Sequence, residues 1–291
     1  MKIILSRKGF DSSAGGVPSP LLPDGTLWSL PIPDRLSTIR YRDIVAGVGD
    51  DGDIGKLVSD LTGRRIRPGS GAHLDPDLER KALPRAPGWR PLFGQSGSAQ
   101  GHLRNQAVTR GDIFLFFGLF QQVEQVAGRY RFIRRAPRQH RLFGWLQVDA
   151  CRQVAAWDAD RHPWACYHPH FKHPPTPGNV LYLAAHRLQL PHRTLPAIPG
   201  AGLFHRAHPH RQLTSSRAPG PSHWQLPAWF YPARNRPPLS YHANPARWQQ
   251  AGDHALLQAA SRGQEFVLDC HHYPEATDWL HSLFEDVSAD K

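Results

Sequence analysis

The chain has 291 residues, 28 of them proline and 25 glycine, which points to ordered loops more than to long helices. Its formal charge of +11 argues against an acidic or membrane-embedded protein, and no apolar run reaches membrane length. Three cysteines, Cys151, Cys166 and Cys270, are odd in number and form no Cys-x-x-Cys pair, which argues against a disulfide framework; with no membrane-length apolar run, we expect a soluble, cytoplasmic protein with no membrane partner.

Residues 2–5 read as a short apolar strand that delivers residues 6–13 into a glycine-containing turn, the end of a sheet at which sites gather. There Asp11 would act as a base or metal ligand, while Arg7, Lys8, Ser12 and Ser13 are candidates for holding a nucleotide. The glycines match neither a Walker A loop nor a dinucleotide fingerprint, and the same residues suit a hydrogen-bonded turn. Pro23-Asp24-Gly25 predicts a turn before a short edge strand over 26–30. Asp53 caps a helix whose apolar stripe is Ile54, Leu57, Val58 and Leu61 and which Gly63 ends. In an extended segment His73, Asp75 and Asp77 project to one side, where they would bind a divalent metal or supply acid and base. His73-x-Asp75 is also two-thirds of the facial triad of non-haem iron oxygenases, which a distant histidine completes.

Residues 94–106 read as a loop in which Gln95, Gln100, His102, Asn105 and Gln106 gather near a sheet edge. Amides suit the edges of a base, and Trp145 or Trp89 would stack on its face. The most apolar segment, 112–120, is the core strand, followed by strands over 129–133 and 142–148, an antiparallel meander. Period two places Leu142, Gly144, Leu146 and Val148 on one face of the third and Phe143, Trp145 and Gln147 on the other. Residues 157–173 are dense in histidine and aromatics; His168 and His170 form a possible chelating pair, and His170 is the candidate third metal ligand beside His73 and Asp75. A strand over 180–184, a long surface excursion over 187–221, aromatic packing over 224–231, a helix over 244–260, a strand over 265–268 and a helix from Pro274 complete the chain.

Two resemblances rest on these residues. Gly111-Asp112, the apolar run after it and Gly144-Trp145-Leu146-Gln147-Val148 resemble the core of PUA-like domains of the EVE and ASCH kind, which are linked to RNA and modified bases. Across nearly the whole chain, residues 5–20, 29–33, 73–78, 94–106, His168-Pro169-His170-Phe171 and Leu226-Pro227-Ala228-Trp229-Phe230 resemble, in that order, the nucleotide modification associated domain 3 family of bacteria and phages. That resemblance implies DNA base modification, with partners from a modification operon.

The expected fold is α+β, with a mixed or antiparallel sheet or a small PUA-like β-barrel, flanking helices and long Pro/Gly-rich loops. A single elaborated domain spans 1–291, with a PUA-like β core over 94–185, a basic loop region over 186–242 and a helix–strand–helix unit over 243–291. Arginine supplies most of the positive charge and pairs bidentately with phosphate, so nucleic acid, foremost DNA, or a nucleotide is the expected partner. In the first functional reading a base or nucleotide sits in a polar pocket with Asp11, His73, Asp75 and His102 as catalytic candidates. In the second the protein is a non-enzymatic reader that grips a modified base with Trp145. In the third it is an iron oxygenase using His73 and Asp75.

Overall fold

The computed structural model describes residues 1–45, 54–174, 176–191, 198–233 and 235–287. The core strand is Ile113–Val126, and its first five residues are completely buried. Lys2–Arg7 lies parallel to it, Ile3 opposite Ile113, and Gln139–Gln153 lies antiparallel on it. Asp112 fixes the start of this pairing, since its carboxylate accepts from the backbone N–H groups of Lys2 at 2.7 Å and Thr109 at 2.9 Å. The main path of the sheet runs Glu265–Asp269, Lys2–Arg7, Ile113–Val126, Gln139–Gln153, Val180–Ala184, Leu92–Gln95. Parallel and antiparallel pairs are mixed, and the helices Ile54–Leu61, Gly97–Asn105 and Ala276–Leu283 make the fold α+β.

The expected barrel is not formed among the described strands: no ladder joins the two ends of the path. Side chains bring those ends together instead, because Gln95 Nε2 donates to Glu265 Oε1 at 2.6 Å and Lys8 Nζ reaches the same oxygen at 2.8 Å. The sheet therefore curls without closing. One face packs Ile4, Phe93, Phe114, Phe116 and Tyr182 together. The other packs Leu5, Leu115, Phe117, Trp224 and Leu280.

Strict alternation fails in Gln139–Gln153. Phe116 pairs with Gly144 but Phe117 with Leu142, so Phe143 is an extra residue at a bulge. The bulge flips the faces, placing Leu142 with Trp145 and placing Phe143 with Leu146 and Val148. Trp145 is only 2% exposed, wedged against Phe204 and Phe284, with Nε1 donating to Pro199 O at 3.0 Å. It cannot stack on a base.

The helix expected over 244–260 is a hairpin. Trp248–Ala251 and His254–Gln258 pair antiparallel across Gly252, whose φ of +60° no helix interior accepts. Burial there follows period two, with Ala255 and Leu257 buried while His254 and Leu256 are half-buried and Gln258 is exposed. The excursion after residue 187 is less superficial than expected, since Leu188, Leu190, Phe204 and Leu213 are buried and Ala201–Leu203 pairs with Leu146 to Gly144. The helix stripe at Ile54, Leu57, Val58 and Leu61 is buried as its spacing predicts, whereas its proposed cap Asp53 lies outside the described residues. No helix among the described residues is long and apolar enough to cross a membrane.

Two buried imidazoles set a pH dependence. His140 Nδ1 accepts from Trp224 Nε1 at 3.0 Å, and His242 Nε2 accepts from the Ala260 N–H at 2.9 Å, so each is needed neutral. Burial lowers His140 to about 3 and His242 to about 4, from an ordinary 6.5. Their contribution is present above pH 6.5 and is lost as pH falls toward those values. At pH 5 each should cost about 2 kcal/mol. Thermal unfolding followed from pH 7 to pH 5 should show a falling midpoint, and a flat profile would contradict the assignment.

Candidate functional site

At the end of Lys2–Arg7 opens a cleft of about 420 Å³, lined by Lys8, Asp11, His73, Asp75, Gln95 and His170 among others. Three short segments supply its chemistry. The two-residue strand Ala72–His73 pairs with Ile32–Pro33 and delivers His73, after which Asp75 N–H donates back to His73 O at 2.8 Å. The 3-10 turn Pro169–Phe171 presents His170. Leu92–Gln95 brings Gly94, whose N–H donates to Asp75 Oδ1 at 2.8 Å.

The side chains converge on Asp75. Its Oδ2 lies 3.8 Å from His73 Nε2 and 3.4 Å from His170 Nε2, and its Oδ1 lies 3.3 Å from His168 Nε2. The opposite nitrogens of the two cleft histidines are held from behind. His73 Nδ1–H donates to Asp34 Oδ2 at 2.8 Å, and His170 Nδ1–H donates to Asn179 Oδ1 at 2.5 Å. Asn179 also donates from Nδ2 to His170 O at 3.0 Å, fixing ring and backbone together. With Nδ1 bonded from behind, Nε2 of both rings faces Asp75, as a lone pair when the ring is neutral and as an N–H when it is protonated.

Electrostatics follow from burial and these contacts. Burial opposes ionisation of Asp75, but His168 and His170 outweigh it and hold the carboxyl far below its ordinary range. Burial is likewise outweighed at Asp34, where His73, His173 and the Leu36 N–H bring the carboxyl down to about 2. Burial lowers His73 despite Asp75 and Asp34, whereas at His170 the pull of Asp75 and Asn179 exceeds burial and raises it. Two buried carboxylates thus stay ionised beside the imidazoles.

The other candidates divide. Asp11 lines the cleft, but its Oδ1 accepts from Ser13 N, Ser13 Oγ and Ala14 N at 2.7 to 2.8 Å, the hydrogen-bonded turn that its neighbours also suit. Ser12 and Ser13 are exposed on that turn. Arg7 is anchored to Ser261 O and Ala260 O, and Lys8 is paired with Glu265 over the Phe93 ring, so both cations are engaged within the protein. The 94–106 segment is not a loop: Gly97 at φ +61° starts the helix Gly97–Asn105. Gln95 remains at the cleft, while the helix carries the rest outside its lining. Gln100 is buried, accepting from Tyr182 Oη at 2.9 Å; His102 Nε2 meets Ser240 Oγ at 2.9 Å; Asn105 is exposed at the helix end and Gln106 caps it. Sequence spacing missed Asp34, Asn179 and His173, whose Nε2 reaches Asp34 Oδ2 at 2.8 Å. A lone Asp or Asn carries no sequence signal for such a role.

The model of one protein family, nucleotide modification associated domain 3, matches residues 2–269. No curated protein and no solved structure matches the chain. The match spans every segment that builds the cleft, so the chain belongs to the nucleotide modification associated domain 3 family.

Proposed function

We propose that this protein is an enzyme that alters a nucleotide, or a base of DNA, held in the cleft, with His73, Asp75 and His170 at the reacting group. The observation that carries this reading is the convergence of His73 Nε2, His170 Nε2 and the buried Asp75 carboxylate on the wall of a cleft of about 420 Å³. Membership of a family associated with nucleotide modification supports a nucleotide or base as the substrate. The cleft is large enough for a base with its sugar. The reader alternative loses its gripping aromatic, because Trp145 lies in the core.

The test is nucleoside mass spectrometry of DNA and of the free nucleotide pool, from cells carrying the native gene with its genomic neighbours and from cells carrying His73→Ala or Asp75→Asn. We expect a modified nucleoside that disappears or stalls at a precursor in both variants, each checked to be folded. An unchanged profile in both would overturn the enzymatic reading.

A further inference from the structure

We propose that His73 Nε2, His170 Nε2 and Asp75 Oδ2 are the ligands of one divalent first-row transition metal ion whose remaining coordination positions open into the cleft. The three atoms lie within 4.8 Å of one another. Their separations from the carboxylate oxygen, 3.8 and 3.4 Å, are too long for charge-assisted hydrogen bonds, which run about 2.7–2.9 Å. Donors bound tetrahedrally at about 2.0–2.1 Å stand about 3.3 Å apart, and these distances sit close to that value. The neighbouring group of Asp34, His73 and His173 differs in this respect: both its contacts are 2.8 Å, the length of a hydrogen bond. Magnitude therefore separates a ligand set from its hydrogen-bonded support.

Every ligand is oriented from behind, as metal ligands are. Asp34 takes the Nδ1 proton of His73, Asn179 takes that of His170, and the Gly94 N–H holds the non-ligating oxygen of Asp75. A second observation is independent of this set. His168 is fully buried, and its Nε2 has no hydrogen-bond partner among the described residues although it lies 3.3 Å from Asp75 Oδ1. A buried, unpartnered nitrogen facing the ligand set marks a polar cluster that is incomplete without a further group. The lysine that lines the same cleft, Lys8, is already neutralised by Glu265.

Two imidazoles and one carboxylate suit zinc, iron, cobalt or manganese, and not magnesium or calcium, which take oxygen donors. Three protein ligands instead of four leave room for water or a substrate atom, the arrangement of a catalytic centre. This assignment deepens the nucleotide reading by giving the same site its electrophile. Metal content is read without any nucleotide, so an ion bound beside an unchanged nucleoside profile overturns only the enzymatic reading, and the absence of an ion overturns only the metal centre.

The experiment is titration of chelator-stripped full-length protein with Zn²⁺ and Co²⁺ alone, followed by calorimetry and by the visible absorption of Co²⁺. We expect one ion per chain, no competition from Mg²⁺, and a loss of affinity of about 100-fold or more in His170→Ala and in the isosteric Asp75→Asn. His173→Ala, which removes only a partner of Asp34, should lose less than about 10-fold. Circular dichroism of each variant separates unfolding from ligand loss, and Asp75→Asn preserves an acceptor for the Gly94 N–H if His170→Ala does not fold. Absence of stoichiometric binding by the parent would overturn the proposal. So would a site lost in His173→Ala and retained in His170→Ala, which would put the ion at Asp34.

Discussion

Asp77→Ala is expected to lower the free energy of unfolding by about 3–5 kcal/mol. Asp77 is fully buried, two residues beyond Asp75. Both of its carboxylate oxygens meet Arg85, Oδ1 to Nη2 and Oδ2 to Nη1, each at 2.6 Å, and Tyr167 Oη donates to Oδ2. Arg85 is itself buried to 3% side-chain exposure, stacked 4.1 Å over the Trp89 ring, and gives a further hydrogen bond to Glu79 O at 2.6 Å. Removing the carboxylate leaves a guanidinium and a phenol in the interior without their acceptor. The backbone of the same residue exchanges two hydrogen bonds with Leu92, at 2.9 and 3.0 Å, so the damage falls on the strand that carries Gly94. Urea unfolding of Asp77→Ala beside Asp77→Ala/Arg85→Met is the measurement. The double variant removes the stranded charge and should recover much of the loss, whereas equal midpoints for the two would show that the pair is not a desolvated unit.

How much of this was legible in the sequence depended on whether the deciding interaction was local. The core strand was readable as an unbroken apolar run, and the Ile54–Leu61 helix and the docking of Leu280 and Leu283 because burial repeats along a few residues at one fixed period. His73 and Asp75 were readable as a pair because two residues of extended chain put them on one side, and His170 as their partner only as one of several histidines. What failed was non-local or carried by one residue. The bulge at Phe143 is a matter of register against Phe116 and Phe117, which no period in 142–148 records. The Gly97–Asn105 helix buries only Gln100 and Leu103, so it shows no apolar stripe and reads as a loop. Trp145 looked like a stacking platform because its surroundings, Phe204 and Phe284, come from residues 59 and 139 positions further along the chain. Asp34 and Asn179 matter only because the fold sets them behind His73 and His170. Their roles exist in three dimensions alone.

Gly94→Ala should separate the site from the fold more sharply than any ligand replacement. A Cβ built on Gly94 would lie 2.4 Å from His170 Cδ2 and 2.6 Å from its Nε2, far inside van der Waals contact. The ring cannot swing freely, because Asn179 holds its Nδ1 at 2.5 Å and the His168 and His73 rings lie about 5.5 and 5.4 Å away, centre to centre. Relief comes from rotating His170 off Asn179 or from pushing the Leu92–Gln95 strand away from Val180–Ala184, and either moves Nε2 relative to Asp75. Overpacking of this kind costs about 1–3 kcal/mol, which a domain of this size survives. A misplaced ligand or its support costs about 10–100-fold in metal affinity or activity. The control is Gly101→Ala on the Gly97–Asn105 helix, where an added Cβ meets no atom of the described residues within 4 Å. There the change should raise stability by about 0.5–1 kcal/mol and leave Co²⁺ binding and the nucleoside profile as in the parent. If Gly94→Ala instead bound Co²⁺ and supported modification like the parent, His170 would not stand at the reacting group, and the chemistry would have to be sought elsewhere in the cleft.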